Sequence, residues 1–238
     1  MNTQTIKVAL IGLMLTFSAY SNAGLIGVFG NNSNNNIVNF LNANGHTAVN
    51  FGGSATAAQL EGLDAVIGLR ADGNNDVLNF VLNGGLYITE WRAAEWALDV
   101  ANMLNADGGN NIHFGSDTNI TQSDLALSMG LGNGLSNPYS DGQRTQFQWT
   151  LQNIGAEVDI LATREGAIPA ILGGAVGNGY AFINTLDWAD GFGSGAHSSG
   201  TWLLNALSAD VNDIPEPSTI AMFGLAFLGL ASRKSKRV

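Results

Sequence analysis

From residue 24 onward the chain alternates short, wholly apolar runs with stretches of asparagine and glycine. The spacing of the apolar positions sorts those runs into strands and helices. Residues 25–29 (Leu-Ile-Gly-Val-Phe) are uninterrupted and end at Gly30, the pattern of a buried strand. The asparagine tract 31–36 reads as a polar loop, after which Ile37, Phe40 and Leu41 recur at helical spacing up to the stop signal Asn44-Gly45. Residues 46–51 predict a second strand, 56–60 a short helix and 63–69 a third strand. Asp76 is expected to cap a helix carrying Val77, Leu78, Phe80, Val81 and Leu82, which Asn83-Gly84-Gly85 ends. Residues 86–90 (Leu-Tyr-Ile-Thr-Glu) predict a fourth strand, and 91–105 a helix with Trp96, Val100 and Leu104 on one side.

Residues 106–153 are rich in Gly, Asn and Ser and weakly periodic, so they predict an insertion or long loop with a short helix at 122–129. Beyond it, 157–162 and 167–172 flank Thr-Arg-Glu-Gly as a hairpin, and 179–186 form another strand. Residues 187–200 are a glycine-rich loop, and 201–207 begin the last helix. Short strands alternating with short helices point to an α/β fold with a mostly parallel sheet covered on both faces. Right-handed crossovers then give a three-layer, doubly wound arrangement.

The two ends follow a different pattern. Lys7 precedes an apolar stretch at 8–17, and Ser21-Asn22-Ala23 places small residues before Gly24, the order of a secretory signal peptide over 1–23. The chain ends on a proline-bearing linker, an uncharged run at 220–231 and the cations Arg233, Lys234, Lys236 and Arg237. Prolines hold such a linker extended. An apolar helix with a cationic end is the form of a segment held in a bilayer with that end in the cytoplasm. The run is 12 residues, or 15 counting 218–232, about 22 Å of helix. The competing reading is a C-terminal amphipathic or core helix. The expected division is therefore a signal peptide at 1–23, an α/β domain at 24–210, and a sorting segment at 211–238 with a short transmembrane stretch at 218–232.

Pro215, Glu216 and Pro217, followed by an apolar helix and a basic end, resemble a PEP-CTERM sorting signal over about residues 213–237. The resemblance implies export through the inner membrane of a Gram-negative bacterium, recognition by an exosortase, a membrane-anchored precursor and a final place in the envelope or outside the cell. It also implies an association with exopolysaccharide or biofilm matrix.

Charge and composition narrow the chemistry of the body. Between Gly24 and Asp213 there are four arginines, no lysine and 18 acidic residues, a formal charge of −14. Nucleic acid is excluded as a partner, because phosphate binding needs clustered cations. The acidity suits solubility outside the cell. There is no cysteine, hence no disulfide, no thiolate metal ligand and no cysteine nucleophile.

The order strand, helix, Gly-Gly, strand over 63–90, the piece Asn83-Gly-Gly-Leu-Tyr-Ile-Thr, and the late hairpin with Gly-Asn-Gly-Tyr-Ala-Phe resemble class I glutamine amidotransferase-like domains, within the flavodoxin-like group. The resemblance is strongest over 25–100 and 157–207. In catalytic members the turn after the Gly-Gly strand carries the nucleophilic cysteine, whereas here it reads Thr89-Glu90-Trp91-Arg92. Amidotransferase activity is thereby out of reach.

Ligands of open α/β sheets bind outside the carboxyl ends of the strands. Those ends present Asn31, Arg70, Glu90, Trp91, Asp187 and Trp188, with His197 in the loop beyond. Such a mixture could hold a sugar, with indoles stacking and Asn or Asp bonding hydroxyls. Each residue also has a plainer reading. Arg70 and Glu90 pair as neighbouring strand ends, Trp91 and Trp188 cover the sheet edge, and His197 is an exposed loop histidine. The acids at 72–76 and 187–190 complete no metal loop, and no cofactor is expected. Two functions remain: a non-enzymatic binding or structural module, and a carbohydrate-directed hydrolase using Glu90 with Asp187 or His197.

Overall fold

Nine strands share one sheet in a computed structural model that describes residues 24–108, 112–115, 118–142, 145–147, 151–165, 167–193, 198–209 and 211. The signal peptide 1–23, the sorting motif with its basic flank, and the stretch 218–232 lie outside the described residues. In chain order the strands are β1 Leu25–Gly30, β2 Thr47–Asn50, β3 Ala65–Leu69, β4 Leu86–Glu90, β5 Asp107–Gly108, β6 Ile112–Phe114, β7 Asn119–Gln122, β8 Tyr139–Ser140, β9 Thr145–Phe147, β10 Leu151–Gln152, β11 Asp159–Arg164, β12 Ile168–Val176 and β13 Gly179–Asn184. The helices are α1 Asn34–Ala43, α2 Ala57–Leu60, α3 Asn75–Leu82, α4 Ala93–Glu95 running into a π turn Trp96–Val100, α5 Asp124–Ser128 and α6 Ser198–Ser208.

The sheet order is β2-β1-β3-β4-β13-β12-β11-β7-β8. Its first five strands are parallel, and from β12 onward the pairing is antiparallel. Uninterrupted apolar strands follow from this layout, because β3 is buried at every position and so must meet side chains on both faces. On one face, Phe29, Val66, Tyr87 and Ile183 form a core with Leu60 of α2, Val77 and Val81 of α3, and Trp96. On the other, Val28, Ile67, Ile88 and Phe182 stand in register across β1, β3, β4 and β13. Trp202 of α6 meets Phe182 edge to face at 6.3 Å there, and the Phe40 ring of α1 lies under Gly200. The result is the expected three-layer α/β architecture.

Local departures have local causes. The helix after β1 starts at Asn34, inside the asparagine tract, and the one after Arg70 is capped by Asn74 rather than Asp76. Asn74 Oδ1 accepts from the Asp76 and Val77 amides at 2.9 and 3.1 Å, and its Nδ2 donates to the Ala55 carbonyl at 2.7 Å. Asp76 instead accepts from the Ala57 amide at the start of α2. Asn74→Ala should therefore destabilise the body by about 1–2 kcal/mol in chemical denaturation, and Asp76→Ala by less.

The helix expected over 91–105 is shorter and mixed. A π turn closes through the Ala101 amide to the Trp96 carbonyl at 2.8 Å. The extra residue in that turn breaks the 3.6 period. Trp96 and Leu104 stay buried, while Val100 swings out to 70% exposure instead of sharing their side. The insertion is not all loop, since β7 and β8 extend the main sheet beyond β11 and β6 pairs with β9. The hairpin falls later than expected, with β11 ending at Arg164 and β12 beginning at Ile168. Among the described residues no helix is long and apolar enough to cross a membrane.

Candidate functional site

The carboxyl ends of β1, β3, β4 and β13 converge on one guanidinium. Arg70 follows β3 and Trp91 follows β4, and both sit in the left-handed region, with φ of 51° and 49°. Non-glycine residues adopt this backbone at a cost of about 1–2 kcal/mol. The Trp91 amide donates to the Leu186 carbonyl at 3.0 Å, and the Asn31 amide to the Leu69 carbonyl at 2.9 Å. Both bonds tie neighbouring strand ends together just where the chain turns sharply.

Arg70 Nη2 donates to Asp187 Oδ1 and, at 2.8 Å, to Asp190 Oδ2. Its guanidinium carbon lies 4.7 Å from the Trp91 ring centroid, a cation–π stack. Asp190 accepts a second bond, from Asn32 Nδ2 at 2.6 Å, so the cluster reaches the asparagine tract. The expected Arg70–Glu90 pair is loose, with Nε 3.7 Å from Glu90 Oε1, and the two aspartates hold the cation instead.

Glu90 is wholly buried, and no donor reaches either of its oxygens in ordinary hydrogen-bond geometry. Burial, first of all, holds its carboxyl well above the usual range. Asp187 adds to this, placed to accept the proton of a neutral Glu90 and repelling an ionised one. Arg70 opposes the shift, and Asp190 reinforces it. The cluster sets one cation against the carboxylates of Asp187 and Asp190, with the carboxyl of Glu90 held above its ordinary range beside them.

The sign of the pH effect follows. The folded state keeps the Glu90 proton beyond the point where the unfolded chain releases it, near 4.5. The stability contributed is complete below that pH and is lost as pH rises toward the folded value. The difference in unfolding free energy between wild type and Glu90→Gln should fall as pH rises above 4.5. A flat difference in urea titrations would mean an ordinary carboxylate.

The remaining candidates separate. Trp91 is half-buried, edge to face with Phe147 at 5.3 Å. Trp188 is a core residue with 1% exposure, its Nε1 donating to the Thr89 carbonyl at 3.0 Å and its ring against Phe192 and Trp202. The structure thus corrects its placement at the ligand edge: its indole closes the far-face core and presents nothing to a sugar. His197 lies outside the described residues. Of the hydrolase pairing, Glu90 has no exposed surface and Asp187 is also buried.

Next to the Arg70 cluster is an open cleft of about 430 Å³. It is lined from Gly30 to Asn36 and by Asn50 at the end of β2. Asn34 Nδ2 binds the Gly30 and Gly52 carbonyls and Asn50 Oδ1, each at 3.1 Å. Asn50 Nδ2 binds Asn35 Oδ1 at 2.8 Å. Ser33, at φ 53°, precedes α1 without capping it. Of these residues sequence reasoning singled out Asn31; the signal for the rest was the asparagine run itself, taken only as turn-forming. Among the described residues no group of acids and histidines is arranged to hold a metal ion.

Three layers around this sheet order, with a sharp turn at the end of β4, define a flavodoxin-like fold of the glutamine amidotransferase type. The body is similar to a GMP synthase subunit from Thermoplasma acidophilum, at 11% identity over 79% of this chain and 94% of that one, with a TM-score of 0.55. It is also similar to PurLQS from Thermotoga maritima, at 10% identity over 68% of this chain and 87% of that one, with a TM-score of 0.50. A ThuA-like protein from Bacteroides uniformis aligns at 13% identity over 79% and 91%, with a TM-score of 0.48. No curated protein sequence matches the chain. Residues 213–237 match the PEP-CTERM protein-sorting motif. The chain is accordingly an exported, envelope-sorted protein whose C-terminal signal is read by an exosortase at the inner membrane.

Proposed function

We propose that the α/β body is a non-catalytic binding module delivered to the cell envelope, where it engages exopolysaccharide. On this reading the chain is a precursor. Residues 1–23 direct export, 24–210 form the module, and 211–238 hold it at the membrane through the stretch 218–232 and the cations Arg233, Lys234, Lys236 and Arg237.

The observation that carries the non-catalytic part is the state of the strand ends. Trp91 occupies the turn after β4, and Arg70 is neutralised by Asp187 and Asp190. Glu90 is enclosed, with its carboxyl held above the usual range, which does not favour a general base at this position. A guanidinium committed to two aspartates and an indole holds strand ends together, which supports a structural or binding role for this edge. The export signal supports the exopolysaccharide part, since it places the module among envelope polymers.

The test is to incubate the full chain with exopolysaccharide from the producing cells, then follow co-sedimentation and polymer length together. Retention with unchanged length is expected. Shortening of the polymer that disappears in Glu90→Gln would make the body a hydrolase and sink this reading.

A further inference from the structure

Resting on the binding reading above, we propose that the glycan is held in the asparagine cleft beside the Arg70 cluster, through amide-to-hydroxyl hydrogen bonds, with no charged or aromatic group in contact.

The lining itself points to this chemistry. Gly30, Asn31, Asn34, Asn35, Asn36 and Asn50 supply polar, uncharged surface and no aliphatic or aromatic side chain. An apolar ligand would find nothing to bury against. An anion would need a cation, and the neighbouring Arg70 is already shared by Asp187 and Asp190. A cation would need carboxylates, and the lining has none. What amides do match is a ligand dense in groups that both donate and accept, because each offers one acceptor and two donors in a plane. A saccharide is such a ligand. The volume, about 430 Å³, lies in the range of small-ligand sites.

The amides are also fixed in advance. Three bonds anchor Asn34, and Asn50 bridges Asn34 to Asn35. Less side-chain freedom is therefore lost on binding than a mobile loop would lose. Because no formal charge takes part, binding is insensitive to salt.

The test is affinity electrophoresis of the full chain in mild detergent, through gels holding dextran, mannan, galactan or the producer's exopolysaccharide. The variants are Asn31→Ala and Asn36→Ala, both at the cleft surface and so removable without touching the core, with unchanged melting curves as the check on folding. Retardation by at least one polymer is expected, equal with and without 0.5 M NaCl (~0.5 M suffices to collapse the Debye length). Each variant should weaken it roughly threefold to tenfold, the worth of one hydrogen bond. Retardation unchanged in both variants overturns the cleft but leaves the binding module standing. A loss in Trp91→Ala alone, or a strong salt dependence, moves the ligand to the Arg70 edge and also overturns the assignment. No retardation of the wild-type chain by any polymer overturns both the cleft and the module.

Discussion

Replacing Arg70 by methionine should lower the unfolding free energy by about 2–4 kcal/mol and the melting temperature by roughly 5–15 °C. The substitution keeps an apolar stem but removes the cation that faces Asp187, Asp190 and Glu90. Asp187 is 7% exposed, so its charge would be left in a poorly solvated place without a partner. Breaking a fully buried pair by removing one member costs about 3–5 kcal/mol. Water reaches Arg70 at 26% and Asp190 at 39%, which pulls the expected figure toward the lower end. The loss of the Trp91 stack adds to it. Asp187→Asn placed on top of Arg70→Met should recover part of the stability, because it removes the stranded charge. A melting point within 2 °C of wild type for Arg70→Met (less than about 1 kcal/mol at this size) would mean that the strand ends are held by other contacts.

Gly30→Ala should be at least as damaging, for a different reason. Gly30 ends β1 at φ 136°, a backbone region that side chains avoid. A Cβ there would collide with the Leu69 carbonyl oxygen at the end of β3. That oxygen is fixed in turn by the Asn31 amide at 2.9 Å. Strain in the backbone costs about 1–3 kcal/mol and overpacking against main chain about as much again. The expected result is a loss of roughly 2–6 kcal/mol, measured by urea denaturation. Gly45 gives the control: its φ is 90° but nothing lies within 4 Å of a Cβ placed there. Gly45→Ala should therefore show the backbone penalty alone. Equal effects at the two positions would show that the close approach of β1 and β3 is not tight.

Much of this arrangement can be read in the chain. The strands β1 and β3 are unbroken apolar runs closed by Gly30 and Arg70, β4 is apolar up to Ile88 and is followed by Trp91, and parallel connectivity then forces their carboxyl ends together. That is why Arg70, Glu90, Trp91 and Asp187 lie at one edge. What the pattern could not give depends on contacts between distant residues. Asn74 and Asp76 are both good capping residues two positions apart. Only the presence of Ala57 beside Asp76 decides which of them caps α3. Trp188 follows β13 in a glycine-rich stretch that reads as surface, yet Phe192 and Trp202 enclose it. The strands β7 and β8 are four and two residues long, and their partners lie far along the chain, too little alternation to register in sequence.

The Arg70 site differs from the expected one in a single physical respect that changes its meaning. Sequence alone brings acids and a cation to one edge, where an ion pair between neighbouring strand ends is the favoured reading over a catalytic mixture. In the structure two aspartates take the guanidinium and Glu90 is buried without a donor. The asparagines among residues 31–36, with Ser33 and Asn50, carry no charge and so attract little notice in a sequence, and they line the open cleft.

The most direct measurement is the titration of the Glu90 side-chain carboxyl by carbon-13 NMR in the full chain, assigned by comparison with Glu90→Gln. A strand edge closed around Arg70 predicts that this carboxyl titrates well above the ordinary carboxylate range. A midpoint in the ordinary range near 4.3 (the value of a carboxyl in contact with water, to about one unit) would contradict it. The edge would then be open, and Glu90 would be free to act on a substrate.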